Sequence, residues 1–198
     1  MIGVIDYGAG NLQSVTNALQ HLESPSRSCV TPDDLARVDR LLLPGVGQFG
    51  AAVRRLAGNG LDEAILERVQ AGVPLLGICL GLQLLFRQSD EAAGLMGLEL
   101  LPGRTVRIEA KIVPHMGWNR VTLTRPCPLI DEGETSYFYF AHSYVAHLDW
   151  PQLLAGTTEL DGREIPAIVG RERIWGVQFH PEKSGSAGLA LLRRFAEC

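Results

Sequence analysis

The sequence predicts an α/β protein: a largely parallel central sheet with helices on both faces, lengthened by antiparallel strand additions in the C-terminal half. From Ile2 to Phe86, short apolar runs alternate with stretches whose apolar residues recur at helical spacing, the order that builds a parallel sheet covered on both sides. The runs at residues 2–5, 41–43 and 73–78 are short and largely continuous, as buried strands are. After Leu98 the texture changes to alternating or clustered apolar residues separated by turn residues, the pattern of antiparallel strands.

The first strand, residues 2–5, runs into the glycine-rich turn Asp6-Tyr7-Gly8-Ala9-Gly10-Asn11 and then a helix carrying Val15, Ala18, Leu19 and Leu22. Helix N-termini bind phosphates, but the full G-x-G-x-x-G is missing, so an ordinary tight connection is the favoured reading of this turn. A second strand near residues 27–30 precedes Thr31-Pro32-Asp33-Asp34, where Thr31 caps a helix and Pro32 fits its first turn. The third strand, residues 40–43, ends in Pro44-Gly45-Val46-Gly47. Helical spacing over residues 49–56 and 61–69 leads to the strand at 73–78, and a helix carrying Leu82, Leu85 and Phe86 follows. Segments 104–108, 121–123, 137–140, 165–168 and 174–179 read as strands added to the same sheet, with Asp161-Gly162 as a turn. A closing helix from Ser184-Gly185 to Cys198 turns Leu189, Leu192 and Phe195 inward. No repeat, low-complexity tract or linker divides the chain, so residues 1–198 are expected to form a single domain.

The chain is 46% hydrophobic and 20% charged, ordinary for a globular protein able to bury a sizeable core. A net charge of -4 without a basic cluster argues against nucleic acid or an anionic membrane as the main partner. Neither the N-terminus nor the run around Cys79 has the form of a signal or a membrane span, so a cytoplasmic address is expected. Cys29, Cys79, Cys127 and Cys198 form no C-x-x-C pair and lie far apart, which suits neither a zinc site nor a disulfide framework.

Chemistry concentrates at Gly77-Ile78-Cys79-Leu80-Gly81, which repeats the G-x-S-x-G nucleophile elbow with sulfur in place of oxygen. A strand reversing sharply into a helix crowds both elements, and glycines two residues to either side relieve the crowding. The apex side chain then stands at the helix N-terminus, where positive charge favours a thiolate. Taken alone, Cys79 reads equally as a small buried hydrophobe. The second half supplies a base: along residues 175–180, Gln178 and His180 fall on one side of a strand and Trp175, Val177 and Phe179 on the other. Glu182 follows across a proline, placed to orient the imidazole as the third member of a triad does. The bland alternative, a local structural hydrogen bond between His180 and Glu182, loses weight beside an elbow cysteine. An oxyanion would find the backbone N–H of Leu80 and a second donor in the Pro44–Gly47 loop, a stretch that reads equally as a plain turn.

Gly77-Ile78-Cys79-Leu80-Gly81-Leu82-Gln83 together with His180-Pro181-Glu182 resembles the class I glutamine amidotransferases, which release ammonia from glutamine. Pro44-Gly45-Val46-Gly47, Pro114-His115-Met116-Gly117-Trp118-Asn119, Tyr139-Phe140-Ala141-His142-Ser143-Tyr144 and His180-Pro181-Glu182-Lys183-Ser184 are similar to the branch that serves a histidine-pathway synthase. The resemblance runs from Met1 to the last helix and implies a flavodoxin-like core, no metal and no organic cofactor. It also implies a separate (β/α)8 barrel synthase/cyclase subunit as partner in a heterodimer, with glutamine as substrate. It makes Cys79 the nucleophile, His180 the general base and acid, and Glu182 its orienter, with Val46 and Leu80 in the oxyanion hole. Gly45, Gly47, Gln83, Glu91, Ser143 and Tyr144 become substrate-binding positions, although Glu91 reads nearly as well as a solvated surface charge. Asn11, Trp118, Tyr137, Tyr139 and Lys183 become partner-interface positions, although the aromatic residues and Lys183 could equally be core or surface. The rival readings are another free-standing glutaminase of the class and a non-catalytic regulatory subunit. The loop after the third strand and the residues following Cys79 disfavour the first, and the intact triad disfavours the second.

Overall fold

The structure, a computed structural model, describes residues 1–8, 12–131 and 136–197. Strands β1 (Ile2–Ile5), β2 (Ser26–Cys29), β3 (Arg40–Leu43) and β4 (Leu75–Ile78) lie parallel in the order β2-β1-β3-β4. Helices α1 (Leu12–His21), α2 (Pro32–Leu35), α3 (Phe49–Gly58) and α4 (Leu61–Gln70) fill the connections. At α2 the Thr31 side chain accepts from Asp34 N while Asp34 returns the contact, a capping box, and Pro32 occupies the first turn. Along β3, Leu41 and Leu43 join the core on one face of the sheet while Leu42 joins the other, so both faces are covered.

The elbow leads into α5 (Leu80–Leu84), followed by β5 (Phe86–Ser89), β6 (Leu101–Arg107), β7 (His115–Leu123) and β8 (Ser136–His142). Then come β9 (Tyr144–Leu148), β10 (Leu154–Leu160), β11 (Arg163–Arg171), β12 (Ile174–Val177) and α6 (Gly185–Glu197). Among the described residues the main sheet has nine strands in the order β2-β1-β3-β4-β12-β11-β10-β7-β8. Strand β12 enters its middle, parallel to β4 and antiparallel to β11. Asp161 and Gly162 link β10 to β11 with φ of 51° and 74°, the pair of left-handed residues that a tight hairpin turn requires.

Two local expectations need correction. The helix after Cys79 stops at Leu84, because the carbonyls of Leu84 and Leu85 accept the backbone N–H groups of Leu98, Leu100 and Leu101. Phe86 consequently opens a strand. The segment around residues 104–106 does not join the main sheet; β6 pairs with β5 and β9 in a separate three-stranded sheet. Among the described residues, no helix is long and apolar enough to cross a membrane.

Candidate active site

Cys79 sits between β4 and α5 with φ 54° and ψ −106°, a strained conformation for a residue with a side chain. Its flanking glycines are required by close backbone approach. A Cβ on Gly77 would lie 2.6 Å from the Gly81 carbonyl oxygen, and one on Gly81 would lie 1.8 Å from that of Leu43. Because α5 is only five residues long, the positive charge that steadies a thiolate has to come chiefly from a side chain.

That side chain is His180. Parallel pairing of Ile78 with Val177 brings both strand ends out at the same edge, so the chain after β12 passes beside the elbow. The His180 Nδ1 faces Glu182 Oε1 at 2.8 Å, both side chains only 3% exposed. Burial alone would push the imidazole down; hydrogen bonds to Cys79 and Glu182, with the charges of both, outweigh it and carry the group up to about 9. His180 is therefore an imidazolium at neutral pH, set against the sulfur. Its backbone is held by β8, with His180 N donating to Tyr139 O at 2.8 Å and Ser184 Oγ donating to His180 O at 2.6 Å.

Cys79 opens into a pocket of about 210 Å³ whose lining includes Val46, Gly47, Leu80, Gln83, Glu91, Ser143 and Tyr144. Gln83 Nε2 donates to Tyr144 O at 3.2 Å and approaches Gln178 Oε1 at 3.5 Å, while Gln178 Nε2 reaches Cys79 Sγ at 3.8 Å. Glu91 is no free surface charge: its Oε2 accepts from Phe49 N at 2.8 Å, capping α3 where Gln48 offers no side-chain cap. Gly45 does not line the pocket but packs beneath it, where a Cβ would meet Tyr7 Oη at 2.4 Å.

Sequence reasoning passed over Tyr7 and Gln178. Tyr7 belongs to the turn read as an ordinary connection, yet its hydroxyl donates to Pro44 O at 3.1 Å. Burial, and then the Cys79 charge, push its ionisation well above the usual phenol range, so it remains a donor. Gln178 was placed on the correct side of its strand without a task. Period-two alternation beside a candidate nucleophile was the signal available.

On the outer face of β7 and β8, Trp118 and Tyr137 are 57% and 58% exposed and Met116 lies beside them. The rings of Trp118 and Tyr139 meet edge-on at 6.2 Å, and Lys183 Nζ stands 5.9 Å from the Tyr139 ring centre. Asn11 lies outside the described residues.

Two further histidines are buried. Burial, and secondarily the charges of His115 and His180, push His142 down to about 3 despite its bond to the Tyr144 carbonyl, and burial lowers His115. Below the unfolded value of about 6.5 the denatured chain takes up a proton that His142 refuses, so stability is lost as pH falls through that window toward 3. His180 has the opposite sign: its contribution is complete below about 6.5 and is lost as pH rises through 9. Urea titrations at pH 5.5, 7 and 9 should show the protein most stable near 7, with His142 alone accounting for about 1 kcal/mol of the acid loss. A wild-type protein that gains stability between pH 7 and 5.5 would contradict this.

The family model described as glutamine amidotransferase class-I matches residues 3–197. The imidazole glycerol phosphate synthase subunit HisH of Geobacillus thermodenitrificans (strain NG80-2) is 48% identical over 202 residues, covering 98% of this chain and 94% of that one. The subunit of the same name from Bacillus subtilis (strain 168) is 44% identical over 205 residues, covering 100% and 96%. Among solved structures, one described as a crystal structure of glutamine amidotransferase superposes with a TM-score of 0.79 at 20% identity, covering 99% of this chain and 97% of that one. The PurLQS structure from Thermotoga maritima gives 0.75 at 18% identity, with the same coverage, and these two likenesses speak to the fold alone.

Proposed function

The chain belongs to the class-I glutamine amidotransferase family, and on that premise we propose that it is the glutaminase subunit of an imidazole glycerol phosphate synthase, with Cys79, His180 and Glu182 as its triad. The observation that best supports the triad is the buried Glu182 carboxylate at 2.8 Å from the His180 imidazole, which Cys79 and Glu182 together draw toward its charged form, beside the strained elbow at the pocket.

Glutamine enters the pocket with its side-chain amide over Cys79. The Ser143–Tyr144 backbone and Gln83 hold its amino-acid end, and Glu91 meets its ammonium. The thiolate attacks the amide carbon, and the oxyanion is met by the N–H groups of Leu80 and Val46. His180 gives its proton to the departing nitrogen, which leaves as ammonia. The same imidazole, now neutral, takes a proton from water, whose oxygen attacks the glutamyl thioester; glutamate departs and the thiolate–imidazolium pair returns. Glu182 orients the ring throughout. Residues 1–198 act as a single domain, a reading supported by β12 lying inside the sheet that the first third of the chain begins.

Ammonia passes to a (β/α)8 barrel synthase/cyclase subunit, which uses it to form imidazole glycerol phosphate and AICAR in histidine biosynthesis. The test is co-purification with that subunit, followed by assays for glutamate release and glutamine-dependent ring closure. A complex that closes the ring with ammonium salts but never with glutamine would overturn the proposal.

The exposed aromatic face of β7 and β8 is the surface assigned to this partner. Trp and Tyr bury much area while keeping a polar tip, which suits them as interface anchors. Trp118→Ala is expected to weaken assembly about tenfold or more in calorimetric titration, without changing the alkylation rate of Cys79. Affinity equal to wild type would remove Trp118 from the interface.

A further inference from the structure

The mechanism leaves the buried pair His115 and His142 without a task. The two rings belong to neighbouring strands, where His115 of β7 is paired in register with His142 of β8. His142 Nδ1 lies 2.9 Å from Tyr144 O, His142 Nε2 lies 3.0 Å from His115 Nδ1, and His115 Nε2 lies 3.3 Å from Asn119 Nδ2.

Both ends of this chain have a fixed sense. A carbonyl oxygen only accepts, so His142 Nδ1 carries a proton. At the other end the Asn119 amide cannot be turned round. Its Nδ2 donates to Glu159 O at 2.7 Å, and its Oδ1 accepts from Arg120 N at 2.8 Å. Asn119 therefore presents a donor to His115, whose Nε2 must accept. His115 Nδ1 then carries the ring proton and donates to His142 Nε2. Every hydrogen bond points the same way, from Asn119 to Tyr144, and both rings are neutral. A further proton on either ring would set two N–H groups against each other. Burial and the charge of His180 beyond β12 agree with this, since both oppose a charge on His142, and the remaining group that faces it is the neutral His115 of β7.

The Tyr144 carbonyl at the end of the relay also accepts from Gln83 Nε2, and His142, Ser143 and Tyr144 all line the pocket at Cys79. The other end leaves from Asn119, the residue next to exposed Trp118. We propose that the His115–His142 pair is a positioning relay, which holds the Tyr144 carbonyl and with it the Ser143–Tyr144 wall of the glutamine pocket, anchored on the strand that carries Trp118. This rests on the reading of the pocket as a glutamine site. A wall that touches the amino-acid end of glutamine contributes equally to ground and transition states, so disturbing it changes KM far more than kcat.

The competing role is packing, since the His115 ring stacks on Phe140 with centroids 4.6 Å apart. Two variants in the complex with the synthase/cyclase subunit separate the roles. His142→Asn places an N–H near the position of ring Nδ1 but leaves volume unfilled, whereas His142→Phe fills the volume and donates nothing. Positioning predicts a KM for glutamine that rises about tenfold in His142→Phe, with kcat falling less than about threefold, and recovers most of the way in His142→Asn. Packing predicts the reverse order, which would overturn the proposal. Nitrogen-15 NMR of the wild-type histidine rings gives an independent readout. Both should show protonated Nδ1 and bare Nε2, unchanged from pH 8 to pH 5.5. Protonated Nε2 on either ring, or a titration near pH 6.5, would also overturn it, and this measurement decides if neither variant folds. A wild-type complex that releases no glutamate would instead sink the glutaminase reading while leaving the NMR result interpretable.

Discussion

Cys79→Ser is expected to lower glutamine-dependent turnover of the complex by about 10⁴-fold or more while leaving its ammonium-dependent reaction intact. The hydroxyl fits the elbow, because Ser is slightly smaller than Cys and the strained backbone is set by Gly77 and Gly81. The loss is chemical. A serine hydroxyl ionises far less readily than a thiol, so the variant lacks the nucleophile that His180 can activate in the wild type. Because the synthase reaction does not use this residue, external ammonia bypasses the defect. Glutaminase activity above a few per cent of wild type would remove Cys79 from the nucleophile's role.

The free subunit should release glutamate roughly 10²–10³ times more slowly than the complex with its partner and the partner's ligand, the size of one lost oxyanion donor. The Pro44–Gly47 loop has the construction for such a switch. Its entry is held by Tyr7 at the Pro44 carbonyl, and its exit by Glu91 at the Phe49 amide. Between these clamps, Gly47 has φ +106° with open space where a side chain would project, and Val46 is half-exposed. Rotation of the Gly45–Val46 peptide would present either the Val46 N–H or a carbonyl to the oxyanion. For the partner to shift the loop toward the productive orientation, it has to bind that orientation more tightly. Alkylation of Cys79 forms no oxyanion, so its rate should be similar in free subunit and complex. Equal glutamate release in the two would exclude the switch, and alkylation that rises in step would move it to His180.

Local chemistry made much of the molecule legible. Thr31-Pro32, Asp161-Gly162 and the glycines around Cys79 each demand a particular backbone from their immediate neighbours, and each adopts it. Period-two alternation put Gln178 and His180 on the same side of their strand. What escaped depended on distant segments. The helix after Cys79 ends early because residues 98–101 claim its last carbonyls, and β6 leaves the main sheet because β9, some forty residues on, pairs with it. Tyr7 was illegible for the same reason, since its hydroxyl serves a carbonyl 37 positions away. The histidine relay joins β7 to β8 across a register that no spacing rule supplies.

The insertion of β12 between β4 and β11 has a consequence for biogenesis. Until residues 174–177 leave the ribosome, the order β2-β1-β3-β4 and the order β11-β10-β7-β8 remain two half-sheets, each with an unsatisfied inner margin. Such margins template association between nascent chains, so a polypeptide truncated just before Ile174 should be the most aggregation-prone fragment of this protein. The late strand also delivers His180, 101 residues after Cys79. One late event thus seals the sheet and sets His180 beside Cys79, and a nascent chain that ends before β12 has the elbow without the histidine.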